Sequence, residues 1–249
     1  MVRFSGRARD YALYRPSYPP ALIEALISEA SFAPGKVVAD VGAGTGKLSA
    51  LFAEHGAVVC CIEPNPEMLR VCARELAAMK NCHFLRATAE HTGLASCSID
   101  MVSAGQSFHW FDTRSAAREF LRILRPDGCV FVVWNTRIGN ANTFMAAYGR
   151  LLGKYGTREA AGMSSERDAI AEFFAGAPFS SGHLPNSQRL GFEGFMGRLR
   201  SSSYLPLNGS PDYESMLIDA RALFDRFAKE GFVELLYRTE YFIGRPAKR

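Results

Sequence analysis

Three alternating glycines, Gly42, Gly44 and Gly46, stand between two apolar stretches of different period and constrain this chain more than any other feature. Before them runs Val37-Val38-Ala39, a continuous apolar run of the kind a strand buried on both faces requires, leading through Asp40 into the turn. After them Leu48, Leu51 and Phe52 take up a helical period that ends at Gly56. Residues without a Cβ adopt positive φ without strain and let a ligand approach the main chain. A turn of this kind opening a helix aims backbone N–H groups at a polar ligand. The segment is therefore predicted to be strand, turn and helix, with the turn as a binding site.

The same unit recurs. Val58 to Ile62 reads as a second buried strand, Asn65 with Pro66 as an N-cap and first helical position, and Leu69, Cys72 and Leu76 as the inner stripe of a helix. Further units follow as His83-Phe84-Leu85, then Ile99 to Ala104 with a helix from Thr113 to Leu124. The turn Arg125-Pro126-Asp127-Gly128 and a strand from Cys129 to Trp134 come next. Ahead of them Leu22, Ile23, Leu26 and Ile27 predict a helix that Pro34-Gly35 stops. Strands alternating with helices of this length make an open α/β sheet covered by helices.

From Asn135 the pattern loosens. Helices are predicted near Thr143 to Lys154 and Glu166 to Phe174, and a strand near His183 to Leu190. Ser210-Pro211 is read as the cap of a last helix, and Phe232 to Ile243 as a closing strand. Three segments follow: 1–135, an N-terminal arm and ligand-binding half; 136–228, a helical lid and substrate region with one sheet strand; and 229–249, a strand that completes the sheet.

Composition narrows the functional classes. With 48% hydrophobic and 22% charged residues the chain has the balance of a globular protein with a sizeable core. Its net charge of +4 is spread along the sequence with no basic run, so nucleic acid is not an expected partner. No apolar run reaches membrane-spanning length, and no membrane partner is expected. Cysteines 60, 61, 72, 82, 97 and 129 lack metal-site spacing and are expected to be reduced, mostly buried thiols of a cytoplasmic protein, with no metal. A monomer or homodimer is expected.

At the end of the second strand stands Glu63, where a carboxylate accepts two hydrogen bonds from a ribose diol. Dinucleotide-binding and other nucleoside-binding chains share such an acid. A dinucleotide fingerprint places its third glycine where this chain has Lys47, which counts against a nicotinamide or flavin cofactor.

The segments Asp40-Val-Gly-Ala-Gly-Thr-Gly46, Glu63-Pro-Asn-Pro-Glu-Met68 and Ala87-Thr-Ala-Glu90 resemble the successive motifs of class I S-adenosylmethionine-dependent methyltransferases. Gly105-Gln-Ser-Phe-His-Trp-Phe-Asp112 and the opening Phe4 to Tyr18 resemble a small-molecule branch to which trans-aconitate methyltransferase-like proteins belong. The resemblance covers about residues 4 to 135, and Tyr237 to Arg245 more loosely. It implies a Rossmann-like, open, mostly parallel seven-stranded sheet with helices on both faces and a helical lid insertion, and S-adenosylmethionine as cofactor, left as S-adenosylhomocysteine. It further implies that Gly42, Ala43 and Gly44 line the methionine and ribose portion, with Glu63 on the ribose hydroxyls. Asn65 and Met68 would flank the adenine, Ala89 and Glu90 meet its edge, and Gln106 close the methionine side. Thr88 stands where many relatives carry an acid for the adenine amino group.

Tyr11 and Arg15 belong to an N-terminal segment that, by the same resemblance, folds over the cofactor and meets its carboxylate, where an Arg fork is well suited. A solvated arm is the alternative. His109 follows the fourth strand and is the one candidate base, set against a histidine that only packs beneath the lid. Trp110 and Phe111 read as packing residues. Phe192, Phe195, Tyr204, Phe224 and Phe227 fit an apolar lid or plain core; helical spacing makes core of the last two, and Tyr204 beside Arg198 and Arg200 is an acceptor-site candidate. With Arg114 these arginines would suit an acidic acceptor. The expected function is methyl transfer to a small molecule, a carboxylate or a hydroxyl. A non-catalytic S-adenosylmethionine-binding module and a nicotinamide-dependent oxidoreductase are the alternatives.

Overall fold

A computed structural model describes residues 8–157 and 165–247; the start of the N-terminal motif, Phe4 to Arg7, lies outside the described residues. The strands are β1 (Val37–Val41), β2 (Val58–Ile62), β3 (Cys82–Leu85), β4 (Ile99–Gly105), β5 (Leu124–Arg137), β6 (Phe179–Leu190) and β7 (Val233–Gly244). The helices are α1 (Ala8–Tyr14), α2 (Ala21–Ala30), α3 (Lys47–Glu54), α4 (Pro66–Glu75) and α5 (Thr113–Ile123), then α6 (Thr143–Tyr155), α7 (Ser165–Phe174), α8 (Phe192–Arg200) and α9 (Tyr213–Phe227).

The strands form one open sheet in the order β3-β2-β1-β4-β5-β7-β6. β1 to β5 pair in parallel, and β7 enters antiparallel to both β5 and β6. The winding reverses between β1 and β4, so a crevice opens beyond the carboxyl ends of these strands, where ligands of open α/β sheets bind.

Period-two alternation explains why the sheet is covered on both faces. Val38, Phe131 and Val133 pack with Leu22, Leu26 and Phe52 of α2 and α3 on one side. Ala39, Val130 and Val132 pack with Phe120 of α5 and Phe173 of α7 on the other. A third cluster lies off the sheet, built from Tyr148 of α6, Phe195 of α8 and Met216 and Phe224 of α9 against Leu235 and Tyr237. β7 joins the two regions, since its Phe242 and Ile243 belong to the sheet core.

Several expectations are corrected. The turn Arg125 to Gly128 is an irregularity inside β5: Leu124 pairs with Ile99 and Cys129 with Met101, so the intervening residues bulge from a continuing ladder. The last helix starts at Tyr213 after Asp212, while the Ser210 hydroxyl donates to the Leu207 carbonyl. α1 and α8 were not foreseen as helices. Of the cysteines, 61, 72 and 82 are buried, 60 and 129 half-buried and 97 exposed; all are free thiols. Among the described residues no helix is long and apolar enough to cross a membrane, and no cluster of metal-ligating side chains occurs.

Candidate functional site

The crevice beyond β1, β2 and β4 is a cleft in two parts that share Tyr11, Gly42, Gly44, Gly105 and Gln106. One part, of about 290 Å³, is lined by Glu63, Asn65, Met68, Ala89, Glu90 and Trp110, among others. The other runs under α1 and includes Arg15, Tyr18, Asp40, Thr45, Arg198 and Tyr237.

The glycine turn owes its shape to the absence of side chains. Gly42 has φ +69°, and a Cβ there would stand 2.5 Å from the Ser107 Cβ. Ser107 cannot withdraw cheaply, because its hydroxyl donates to the Val41 carbonyl at 2.8 Å and ties the end of β4 to the end of β1. At Gly46, φ +85°, a Cβ would meet the Cys72 Sγ at 2.8 Å and the Leu76 Cδ1 at 2.9 Å, so this glycine lets α4 close on the turn.

Glu63 is only 8% exposed. Its Oε2 accepts from the Gly44 N–H at 3.0 Å and its Oε1 from the Asn65 N–H at 2.8 Å. Burial raises its pKa, and the two backbone donors pull it back. Each carboxylate oxygen has two acceptor sites, so both remain able to accept one further donor from the cleft, which fits a ribose diol. Asn65 caps α4, its side-chain oxygen accepting from Glu67 N–H at 2.9 Å and Met68 N–H at 3.2 Å, and this cap sets Met68 at the cleft wall. Thr45 Oγ1 is buried in the cleft without a partner, a polar atom that a bound ligand would satisfy. The glycine cradle, the braced acid and the orphaned hydroxyl together suit a nucleoside carrying a polar tail.

Beneath the turn Asp40, 1% exposed, accepts from the Ser49 hydroxyl at 2.5 Å and the Ser103 hydroxyl at 2.8 Å. Burial pushes its pKa up to about 6 against these two donors. Gln106 stands at φ +57°, a conformation costly for a side chain with a Cβ, held by its N–H on the Val133 carbonyl at 3.0 Å.

The eleven residues expected around a cofactor, from Tyr11 to Gln106, all line the cleft. His109 is not among the lining residues: it is exposed in a short helical turn, with its ring 4.8 Å from that of Trp110. Trp110 and Phe111, read as packing residues, line the wider part of the cleft. Glu90 reaches the cleft with one oxygen engaged, its Oε1 accepting from the Asp112 N–H at 3.0 Å. The N-terminal segment is a helix docked on α8: Arg15 donates through Nη2 to the Ser201 carbonyl at 3.0 Å, and Asp10 pairs with Arg200 at 3.2 Å. Asn135 and Tyr237 were missed, while Tyr18, at the end of the N-terminal segment expected to fold over the cofactor, lines the cleft with Tyr11 and Arg15. Asn135 lies just past the last expected apolar strand residue, a position that in this fold faces the crevice. Arg114 is exposed on α5 at 3.9 Å from Glu172, and Arg200 is tied to Asp10, so neither joins the cleft.

A methyltransferase domain model matches residues 39–132. An uncharacterized methyltransferase of Mycobacterium bovis is 40% identical over 136 residues, which are 55% of this chain and 53% of that protein; the match spans about half the length of this relative. An uncharacterized methyltransferase-like protein of Schizosaccharomyces pombe is 28% identical over 98% of this chain and 96% of its own. The solved structure of a candidate type II methyltransferase from Anaeromyxobacter dehalogenans superposes with a TM-score of 0.68 at 25% identity, covering 94% of this chain and all of that one. Sequence motifs, sheet order and likeness along the whole chain agree, and over residues 39–132 the chain is similar to the methyltransferase domain family.

Proposed function

We propose that this protein transfers a methyl group to a small-molecule acceptor by in-line displacement. The observation that carries this reading is the Glu63 carboxylate, buried, fixed by two backbone N–H groups and still able to accept from the cleft beside the glycine turn. When bound, S-adenosylmethionine supplies an electrophilic methyl group on a sulfonium; the new bond to the acceptor forms as the sulfur–carbon bond breaks, and the electron pair stays on sulfur.

The chain's own part is binding, orientation and exclusion of water. Glu63 would hold the ribose hydroxyls, and Gly42, Ala43 and Gly44 the backbone cradle next to them. Asn65 and Met68 would flank the adenine, with Ala89, Glu90 and the Trp110 ring around its edge. Tyr11, Arg15 and Gln106 would close the methionine side, where an arginine fork fits a carboxylate. The reading gives His109 no proton to move, since it lies outside the cleft lining. Methyl transfer to an acceptor that is already an anion needs no base.

Calorimetric titration with S-adenosylmethionine, S-adenosylhomocysteine and NADH tests the reading. Saturable binding of the first two and none of NADH is expected. Glu63→Ala should weaken both by about 1–3 kcal/mol, the range for losing a hydrogen-bonded charged partner. Binding of NADH alone, or unchanged affinity in Glu63→Ala, would overturn the assignment.

A further inference from the structure

Beside the methionine end of the cleft three arginines meet, with no acid between them among the described residues. Arg15 comes from the residue after α1, Arg137 from the end of β5 and Arg198 from α8. Arg198 is 3% exposed; its Nε donates to the Tyr237 hydroxyl at 3.3 Å and its Nη1 to the Ser202 hydroxyl at 2.9 Å. Arg137 lies opposite Tyr237 in the β5–β7 ladder, its guanidinium 5.8 Å from the Tyr148 ring and 5.9 Å from the Tyr204 ring. Buried atoms are left over: Arg15 Nε, Arg137 Nη1 and the Tyr148 hydroxyl have no hydrogen-bond partner. Among the described residues, none of the ion pairs involves Arg15, Arg137 or Arg198.

Withdrawing a guanidinium from water is costly unless an anion compensates, and aromatic faces and phenols recover only part of that cost. The positive field is felt by the phenols. Burial works to raise the Tyr204 pKa, yet Arg137, Arg198 and Arg15 outweigh it and hold that phenol below its ordinary range. The cofactor does not balance the charge. It brings one carboxylate, which suits Arg15, together with an ammonium and a sulfonium, so it adds no net negative charge. The remaining partner is the acceptor. Arg15, Arg198 and Tyr237 line the same part of the cleft as Gly42, Gly44 and Gln106, which places the surplus charge next to the presumed transfer point.

We infer that Arg137 and Arg198, with the hydroxyls of Tyr148, Tyr204 and Tyr237, form an oxyanion subsite that binds a carboxylate or phosphate group of the methyl acceptor. This rests on the methyltransferase reading and narrows its acceptor to acidic small molecules. The subsite is a handle that orients the acceptor, and its phenols surround one buried cation, Arg198, and one half-buried, Arg137.

The test begins by saturating the protein with S-adenosylhomocysteine; failure of that step refutes the methyltransferase reading and is distinct from failure of the subsite. Thermal melting and calorimetry of the loaded protein are then followed with succinate, citrate, inorganic phosphate and dimethyl succinate at constant ionic strength in chloride. Saturable stabilisation by the anions and none by the neutral ester is expected. Preference for succinate and citrate over phosphate assigns a carboxylate, and the reverse a phosphate. Arg137→Gln and Arg198→Gln should each lose at least about tenfold in anion affinity, as expected when a charge-assisted bond is removed. Affinity for S-adenosylhomocysteine should stay within about twofold. Should Arg198→Gln fail to fold, Arg198→Lys serves in its place, since it keeps the charge and loses the fork, and a weaker anion response is again expected. No response to any anion, an equal response to the ester, or unchanged anion affinity in the arginine variants would overturn the proposal.

Discussion

Asp40 shows how a single side chain beneath the site carries a measurable cost. Its pKa rises from the ordinary 3.8 to about 6 because burial disfavours the charged carboxylate. Between these values the folded protein holds a proton that the unfolded chain has released. Stability therefore falls as pH rises through this window, by about 3 kcal/mol in all if the carboxylate ionises fully. Asp40→Asn keeps an oxygen for one of the two serine hydroxyls, offers an NH2 that the other can accept, and removes the charge. It should gain about 1–3 kcal/mol over the wild type at pH 8 and nothing at pH 4, read from urea denaturation at the two pH values. Parallel curves at both would show that the charge is not penalised. The sequence made Asp40 visible as part of a motif, and Glu63 as a ribose acceptor, because both stand at fixed offsets from the glycines. It could not reveal that both Glu63 oxygens are braced by backbone N–H groups, since that depends on how the turn after β2 folds back on the turn after β1.

Among the elements, α4 was the most legible. Asn65 and Pro66 announced its start, and the structure gives the Asn65 side chain two N–H groups to accept. Asn65→Ala should cost about 1 kcal/mol in chemical denaturation, the usual loss for a helix cap. Because Met68 N–H is one of the capped groups, affinity for S-adenosylmethionine should fall as well; a stability loss with unaltered affinity would separate the cap from the cleft. The helices α1 and α8 were harder to read. α1 is short and fully buries only Ala8, resting on α8 and α4 beside the cleft, and α8 buries a guanidinium, Arg198, where periodicity looks for an apolar side chain. The bulge in β5 was taken for a turn because Pro126-Asp127-Gly128 carries turn chemistry, whereas pairing resumes across it at Met101 and Cys129. Pattern reading follows contacts between near neighbours in sequence, and these elements are decided by partners far away.

The described residues form a sheet core and a helical cluster beside it, and α1 lies between them, against α8 and α4. Tyr14 lies directly on Gly197 of α8, where a Cβ would overlap its ring. Alanine in a helix is ordinarily favoured over glycine by up to about 1 kcal/mol. Gly197→Ala should instead destabilise the protein by about 1–3 kcal/mol, the cost of overpacking, and should lower affinity for S-adenosylmethionine about tenfold as α1 is lifted. A melt of unchanged or higher midpoint with intact binding would show that α1 is not seated there. On the other side β7 pairs from Val130 to Arg137 of β5 and along all of β6, in a register without a break. A strand that passes uninterrupted from the sheet core into the helical cluster offers no hinge between them. Traffic in and out of the cleft is therefore expected to fall to α1, which is held on α8 and α4 by one aromatic seat and a few polar contacts, so a looser seat for this short helix should quicken the release of a spent cofactor.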